Sequence, residues 1–439
     1  MKKSLALCLL SLMLLLTACG GNNGGNTPKN APTNTPATTN NAPAEEPATN
    51  AGVEAPALTP EEGAELVVWD SKNQRAVLEE LVAEFTAQYN VPVKIEEVES
   101  PDQVGKLTID GPNKNGADVV TFPHDSLGAA VSAGLILPND VFADDTKNNN
   151  AESAVNAVTY AGELYGYPRS VETYGLFYNK DLVTEAPKTF DDIVKFAEGF
   201  NDTAAGKYAL MWEVQNFYFN YPFIATNGGY IFGSNGEDAA DIGLNNEGAV
   251  KSLETFKSLK SILPIAAGDI TADIIESKFA SGDIAMTITG PWKVGDFRKL
   301  GINFGVVPIP TLNGEAAISL SGVKAWYVNS YSEYPIAARL LANFLGSKES
   351  QLKDFAATGA IPANKEAMED PTFVADEISS GIAAQFINSN AMPSIPEMGK
   401  VWDPSAAALA DIWNTDITPK DAIDNAVKQI TDAINGATN

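Results

Sequence analysis

Residues 65–95 read ELVVWDSKNQRAVLEELVAEFTAQYNVPVKI, and this stretch decides the fold class. Glu65–Trp69 is short and apolar, as expected of a buried strand. From Val77 to Tyr89 apolar residues recur at the spacing of one helix face, and Val91–Ile95 alternates as a strand does. Ala117–Phe122 supplies another strand, and strand and helix keep alternating afterwards. The pattern predicts an α/β fold with largely parallel sheets that are covered on both faces.

The N-terminal segment has the composition of an export signal. Lys2 and Lys3 precede the apolar run Leu5–Leu16, which is about twelve residues long, whereas a membrane span needs about twenty. The tetrapeptide Leu16–Cys19 resembles the lipobox of bacterial lipoproteins, in which the cysteine receives a lipid. We therefore expect residues 1–18 to be a lipoprotein signal peptide. Cys19 would be lipidated and hold the protein on the extracytoplasmic face of the bacterial cell membrane. The alternative is a plain secretory signal with an accidental cysteine.

Residues 19–62 are rich in Gly, Asn, Thr, Pro and Ala and poor in apolar side chains. This composition predicts a disordered tether between the membrane anchor and the folded part. The chain has two cysteines, and Cys8 lies in the segment that would be removed. We therefore expect no internal disulfide.

The size and charge of the chain narrow its function classes. Of 439 residues, about 380 remain after the signal and tether, which favours two domains or lobes. The formal net charge of −27 disfavours nucleic acids and anionic ligands on electrostatic grounds. Neutral ligands such as sugars remain compatible with this charge.

Common catalytic and cofactor motifs are missing from the sequence. His124 is the single histidine, and the chain has no G-x-G-x-x-G motif, Walker-type loop or zinc spacing. A lone histidine beside an aspartate is more often a structural residue than a base. We therefore expect no catalytic residue, no cofactor and no metal site.

Carboxylates and aromatic residues remain as the candidate binding groups. A neutral polyol needs hydrogen-bond partners for its hydroxyls and flat apolar surfaces for its C–H faces. Acidic residues follow strand-like runs, where α/β folds gather ligands, and aromatic residues stand in loops. These candidates are Asp70, Asp125, Glu172, Tyr218, Trp292 and Trp402. Each has a structural alternative, because tryptophans also fill cores and an aspartate after a strand also caps a helix.

Several segments, in the same order along the chain, resemble the maltose/maltodextrin-binding proteins of ABC importers, within the broader extracellular solute-binding family. The resemblance extends from about Glu65 to the C-terminus. The segments that carry it are Ala117–Asp125, Gly162–Pro168, Val171–Glu172, Leu176–Leu182, Tyr218–Tyr230, Ala285–Trp292 and Met392–Met398.

The resemblance implies a two-lobe periplasmic-binding-protein-like fold, with hinged lobes around a central ligand cleft. The first lobe would comprise residues 63–171 and 326–368, and the second residues 172–325 and 369–439. Hinges would fall near Ser170–Thr173 and Ser321–Trp326, with a third crossing near Ala363–Asp370. The protein would be a monomer.

The resemblance also assigns roles to individual residues. Asp125 and Glu172 would accept hydrogen bonds from sugar hydroxyls, and Tyr218, Trp292 and Trp402 would stack on successive rings. The turn from Asp70 to Asn73 would add polar contacts. Phe122 and Tyr221 stand where close relatives carry tryptophan and would keep the stacking with smaller rings.

These features together predict a lipid-anchored binding protein that captures malto-oligosaccharides between its lobes and delivers them to an ABC permease. Alternatives are a binding protein for another oligosaccharide, including cyclodextrin, an exported glycoside hydrolase, and a sensor that reports sugar occupancy to a membrane receptor. Ser126, Asn216 and the arginine-free segment Asp403–Ala406 depart from the family pattern. They leave open the favoured length of the oligosaccharide and the choice between linear and cyclic ligands.

Overall fold

The computed structural model describes residues 58–437. The predicted signal peptide, Cys19 and the predicted tether up to residue 57 lie outside the described residues. The strands are β1 Leu66–Asp70, β2 Val93–Glu97, β3 Val119–Pro123, β4 Ile136–Leu137, β5 Thr159–Tyr160, β6 Glu163–Leu164, β7 Tyr167–Glu172, β8 Gly175–Asn179, β9 Tyr208–Leu210, β10 Asp238–Ile242, β11 Ile284–Thr289, β12 Phe304–Val307, β13 Ser319–Asn329, β14 Ile361–Pro362 and β15 Ser389–Ala391.

Helices fill most of the segments between the strands. They are α1 Arg75–Tyr89, α2 Gln103–Asp110, α3 Leu127–Ser132, α4 Ala143–Asn149, α5 Glu152–Ala157, α6 Phe190–Phe200, α7 Phe217–Asn220, α8 Pro222–Ala225, α9 Gly233–Gly236, α10 Glu247–Ser258, α11 Ala272–Ser281, α12 Val294–Lys299, α13 Pro335–Leu345, α14 Lys348–Thr358, α15 Lys365–Met368, α16 Pro371–Val374, α17 Glu377–Phe386, α18 Trp402–Asn414 and α19 Pro419–Ala437. Among residues 58–437, no helix is both long and apolar enough to cross a membrane.

The larger sheet has eight strands, six of them in the order β14-β7-β13-β3-β1-β2, with β4 and β15 also paired to β13. Its opening β1–α1–β2 unit confirms the assignment made from residues 65–95, since β1 runs parallel to both β2 and β3. However, β13 is antiparallel to β3 and to β7. The sheet is therefore mixed rather than largely parallel, because β13 returns to it from the opposite direction.

The smaller sheet has four strands in the order β12-β8-β11-β9. Here β8 is antiparallel to β11 and β12, whereas β9 and β11 are parallel. All six residues of β11 are buried, so this strand lies at the centre of the smaller sheet. Besides the short β5–β6 pair, the described residues thus form two separate sheets, which agrees with a two-lobe fold.

The passage of the chain from β7 of the larger sheet to β8 of the smaller sheet is bonded to the start of β13. Thr173 lies between β7 and β8, and its hydroxyl donates to the Leu320 carbonyl at 2.8 Å. The Leu320 N–H in turn donates to the hydroxyl of Tyr174 at 3.1 Å. The first passage coincides with the predicted hinge at Ser170–Thr173.

The second passage lies earlier than predicted. Ser321–Trp326 falls inside β13, where Gly322–Trp326 pair with β7 of the larger sheet. The chain leaves β12 of the smaller sheet at Val307 and begins β13 at Ser319. Every residue of β13 is buried, so its apolar pattern gives no sign of the point where the chain changes sheets. The third predicted crossing, Ala363–Asp370, lies between β14 and α17.

The folded part also begins earlier than the predicted tether end at residue 62. Leu58 packs against the core between α1, α13 and the larger sheet. The Glu61 carboxylate accepts hydrogen bonds from the N–H groups of Ile336 and Ala337, at 2.7 and 2.9 Å. These N–H groups belong to the first turn of α13 and have no partner within the helix. An acidic side chain in a polar segment therefore caps a helix nearly three hundred positions away.

Candidate functional site

Asp125 lies in a short helical turn, His124–Ser126, that directly follows β3. Its half-buried carboxylate accepts a hydrogen bond from the side chain of Trp402, the first residue of α18. Burial raises the pKa of Asp125 to about 7, while the N–H groups of Asp125 and Ser126 and the Trp402 side chain oppose that rise. Another hydrogen-bond donor would therefore stabilise the charged carboxylate.

Glu172 is the second acidic residue of the site and ends β7. It is half-buried, and the Ser170 hydroxyl donates to its carboxylate at 3.3 Å. Burial raises the pKa of Glu172, and the positive charges of Lys324 and Arg169 only partly oppose this effect. Like Asp125, Glu172 keeps acceptor capacity that the protein does not fill.

The aromatic part of the site is formed by Tyr218 and Trp292, which come from a helix and from a turn far apart in sequence. Tyr218 lies in α7, and its N–H donates to the side chain of the cap residue Asn216 at 3.1 Å. Trp292 lies in the turn Pro291–Lys293 after β11. The ring centroids of Tyr218 and Trp292 are 6.3 Å apart, with a tilt of 43°. Both residues are partly exposed, so their rings are not sealed within the core.

Electrostatics place the tyrosine near both carboxylates. Burial raises the pKa of the Tyr218 hydroxyl well above its ordinary value, and the negative charges of Glu172 and Asp125 raise it further. Trp402 joins the same group from the other side, since its ring lies 5.7 Å from that of Phe217. Side chains thus converge from five places: the turn after β3, β7, α7, the turn after β11 and the start of α18. The structure brings together Asp125, Glu172, Tyr218, Trp292 and Trp402.

A glycine sets the position of one of these rings. A Cβ atom on Gly290 would lie 2.1 Å from the six-membered ring of Trp292. The indole therefore folds back over the backbone that precedes it, and no residue with a side chain leaves room for it there. Gly290 therefore leaves room for the Trp292 ring at the end of β11, and the rings of Tyr218 and Phe219 pack against it.

Asp70 lies outside this group of five residues, and its buried position does not fit the predicted role as a ligand contact. It is 1% exposed and accepts hydrogen bonds from Arg169 Nη1 at 2.7 Å and from the Ser71 N–H at 2.8 Å. The residue caps the turn after β1 and neutralises a buried arginine, so its oxygens face the protein. Asn73 is exposed on the same turn and remains a prediction.

Phe122 and Tyr221 are core residues in this structure, which corrects their assignment as stacking residues. Phe122 is fully buried and stacks on Tyr327 with ring centroids 3.9 Å apart. Tyr221 is 2% exposed, and its hydroxyl accepts a hydrogen bond from Asn390 at 3.0 Å. In a strand buried on both faces, such as β3, the sequence does not reveal which side an aromatic ring occupies.

His124 holds three segments together. Its Nδ1 accepts a hydrogen bond from the Val323 N–H at 3.1 Å, so Nε2 carries the proton and donates to the Met392 carbonyl at 2.9 Å. Burial lowers the pKa of His124 to about 4, which keeps the ring neutral near pH 7. The histidine therefore orients the backbone beside the site through these two hydrogen bonds.

A group of buried charges beneath the site was missed by sequence reasoning. Arg169 in β7 donates to Asp354 at 2.6 Å, to Asp70 at 2.7 Å and to Gln74 at 2.9 Å. Its guanidinium also lies 4.7 Å from the centroid of the Trp326 ring. The signal was available in the sequence, because an arginine within a buried strand requires a charged partner.

A cavity of about 560 Å³ lies apart from this group of residues. Its lining includes Tyr221, Tyr230, Asp241 and Asn390, but none of the five converging residues. The candidate site is therefore defined by its converging side chains and not by this cavity.

Comparison with known proteins gives the family. A model described as "Bacterial extracellular solute-binding protein" matches residues 80–380. The chain belongs to this family. As an extracellular solute-binding protein it is a non-enzymatic transport component, which confirms the prediction of a binding protein and removes the glycoside hydrolase alternative. The family also supports an extracytoplasmic location.

Individual relatives and solved structures show which members of the family this chain resembles. The galactooligosaccharide-binding protein of Bacillus subtilis is 33% identical over 381 residues, which is 85% of this chain and 90% of the relative. A maltooligosaccharide ABC transporter solute-binding lipoprotein of Streptococcus pneumoniae is also 33% identical, with 84% and 89% covered. A crystal structure of a cyclo/maltodextrin-binding protein with maltotetraose superposes with a TM-score of 0.71 at 37% identity, covering 84% of this chain and 97% of that one. The two-lobe α/β fold is thereby confirmed.

Proposed function

We propose that this solute-binding protein captures malto-oligosaccharides between its lobes and delivers them to an ABC permease. The observation that carries the proposal is the convergence of Tyr218, Trp292 and Trp402 with two under-compensated carboxylates, Asp125 and Glu172. Glucose rings have flat C–H faces, on which aromatic rings stack, and peripheral hydroxyls, which donate hydrogen bonds to carboxylates.

The location of these groups also supports capture between lobes. Asp125 follows β3 and Glu172 ends β7, both strands of the larger sheet, whereas Trp292 follows β11 of the smaller sheet. A ligand that contacts residues of both sheets stabilises the arrangement in which the lobes approach each other. The hydrogen bond between Thr173 and Leu320 ties the segment between β7 and β8 to the start of β13, and we expect the hinge there.

The direct test is calorimetry with maltotriose, maltotetraose and a cyclodextrin, with cellotriose as a control for linkage. We expect the malto-oligosaccharides to bind and cellotriose to bind much more weakly, because its β-linkages orient successive rings differently. Absence of heat with every malto-oligosaccharide would reject the proposed ligand class.

A second candidate ligand is a galacto-oligosaccharide, since the Bacillus subtilis relative with that name is as similar in sequence as the maltooligosaccharide-binding lipoprotein. Glucose and galactose differ in the orientation of one hydroxyl, and the aromatic platform serves both. Titration with a galactotriose under the same conditions separates the candidates. Tighter binding of the galactotriose than of maltotriose would favour the second one.

We further propose that a lipid on Cys19 anchors the protein outside the cell membrane. The support is the lipobox-like segment Leu16–Cys19 and the similarity to the pneumococcal relative, which is a lipoprotein. Expression of the full chain with Cys19→Ser should release it from the membrane fraction into the medium. Continued recovery of the variant in washed membranes would reject this anchor.

A further inference from the structure

Lys324 is a nearly buried lysine beside Glu172 and is not among the five residues of the proposed site. It lies in the middle of β13 and is 9% exposed. Its ammonium makes one charged contact, with Asp70 Oδ1, at 3.6 Å. That separation is too long for a hydrogen bond. Asp70 is already held by Arg169 at 2.7 Å, so it does not depend on Lys324.

The ammonium of Lys324 retains its hydrogen-bonding capacity. An ammonium has three donors, and Lys324 donates no hydrogen bond to any of residues 58–437. Arg169, the other cation in the same layer, fills its donors with Asp354, Asp70 and Gln74. Buried charges are normally hydrogen-bonded because desolvation is costly. The side chain is 11% exposed, so it is not sealed from an incoming ligand.

The strand register places Lys324 and Glu172 on the same face of the sheet. Lys324 pairs directly with Ser170, and Gly322 pairs with Glu172. Directly opposed residues in antiparallel strands point to one face, and the Ser170 hydroxyl contacts Glu172 at 3.3 Å. Lys324 is close enough for its charge to act on the carboxylate of Glu172.

We propose that Lys324 binds the ligand directly. Its ammonium donates hydrogen bonds to hydroxyl oxygens of the sugar ring, and the Glu172 carboxylate accepts hydrogen bonds from hydroxyls of the same ring. A hydroxyl group is both donor and acceptor, so a neighbouring ammonium and carboxylate together satisfy a pair of adjacent hydroxyls. Charge-assisted hydrogen bonds of this kind are stronger than neutral ones. This inference rests on the proposed carbohydrate-binding function and adds a residue that the sequence comparison did not assign.

The test is maltotriose affinity of Lys324→Met, measured by calorimetry at pH 7. We expect binding to weaken about 10- to 100-fold, as expected for the loss of a charge-assisted hydrogen bond. The matched control is Lys299→Met, because the Lys299 side chain is 66% exposed and lies only near Asp296, at 3.9 Å. The control should bind as the wild type does. Unchanged affinity in Lys324→Met would overturn the proposal.

A second measurement separates direct binding from an indirect effect on Glu172. If Lys324 acts only by keeping Glu172 charged, Lys324→Met should not weaken binding further in a protein that already carries Glu172→Gln. We expect a further loss in the double variant, and equal affinities of the single Glu172→Gln and the double variant would overturn direct binding. Lys324→Gln provides the same comparison if the methionine variant does not fold, because it keeps a neutral donor and should show a smaller loss.

The proposed function is tested by a different comparison. Wild-type titrations with maltotriose and galactotriose report on the ligand class, whereas the ratio of variant to wild-type affinity reports on Lys324. If the wild type binds either sugar and Lys324→Met binds it equally well, only the role of Lys324 is wrong. If the wild type binds neither sugar, the proposed function and the role of Lys324 both fall.

Discussion

Two groups of charged residues on the larger sheet differ in how well they are compensated. Around Arg169, opposite charges meet at 2.6 and 2.7 Å and the side chains are almost fully buried. At Asp125 and Glu172, by contrast, burial raises the pKa and the protein supplies too few donors to offset it. Asp125 and Glu172 are half-buried, and the residues around Arg169 are almost fully buried, so both groups lose part of their contact with water. Compensation by opposite charges and donors therefore distinguishes the charges that support the fold from those that we propose to bind a ligand.

The largest expected effect comes from breaking the compensated group. Arg169→Met leaves Asp70 and Asp354 buried without their main partner, so the free energy of unfolding should fall by about 3–5 kcal/mol. The matched control is Arg298→Met, because Arg298 pairs with Asp376 at 2.5 Å but is 41% exposed. An exposed pair contributes about 0–1 kcal/mol. Urea unfolding of both variants measures the difference, and equal losses would contradict the contrast between buried and exposed pairs.

The tryptophans give a comparison between site and core. Trp292→Ala and Trp402→Ala should weaken malto-oligosaccharide binding by about 1–3 kcal/mol through lost stacking area, with little change in unfolding. Trp413→Ala should do the reverse, because Trp413 is 2% exposed and donates to the Ile265 carbonyl at 2.8 Å. Its loss should lower the free energy of unfolding by about 3–5 kcal/mol.

Calorimetry and urea unfolding on the same three preparations give both quantities. Normal affinity in Trp292→Ala and Trp402→Ala would mean that these rings belong to the core. A loss of affinity in Trp413→Ala at unchanged stability would place the binding surface elsewhere in the molecule.

Asp125 sharpens the comparison through pH. Its pKa is about 7 in the folded protein and about 3.9 in an unfolded chain. The folded state therefore holds the proton more tightly, and the contribution of Asp125 to wild-type stability should fall as pH rises from about 4 to 7. Asp125→Asn has no such titration, so its stability relative to wild type should rise across that range and level off above pH 7. Because Asp125 is only half-buried, we expect a gain of about 1–3 kcal/mol at pH 8.

Unfolding curves at pH 5 and pH 8 for both proteins provide the measurement. The same variant should bind malto-oligosaccharide more weakly at pH 8, since the amide cannot replace a charged acceptor. A stability difference that does not change with pH would mean that Asp125 is compensated in the folded state, like Asp70.

The elements with regular patterns could be predicted from the sequence, and the partners of buried residues could not. The β1–α1–β2 unit follows from the spacing of apolar residues between Glu65 and Ile95. The direction of β13 does not, because an eleven-residue strand buried throughout has no alternation to indicate its neighbours. The same limit explains Phe122, whose ring could face either side of β3.

For the site, family resemblance assigned Asp125, Glu172, Tyr218, Trp292 and Trp402, and the structure brings these residues together. Asp70 was wrong as a ligand contact because its role depends on Arg169, ninety-nine positions away. A charge in an apolar strand indicates that a partner exists, but the sequence does not name it. Lys324 was missed for the same reason, since its importance depends on the absence of a hydrogen-bond partner among residues 58–437.

The smallest expected effect tests the reassignment of Tyr221 to the core. Tyr221→Phe removes the hydroxyl that accepts a hydrogen bond from Asn390 at 3.0 Å but keeps the ring. The free energy of unfolding should fall by about 1 kcal/mol, the usual contribution of one hydrogen bond. Malto-oligosaccharide affinity should not change, because the Tyr221 ring is packed in the core and the cavity that it lines contains none of the five converging residues. Tyr218→Ala is the contrasting variant and should lose affinity. If Tyr221→Phe instead weakens sugar binding at unchanged stability, its hydroxyl reaches the ligand after all and the original stacking assignment regains support.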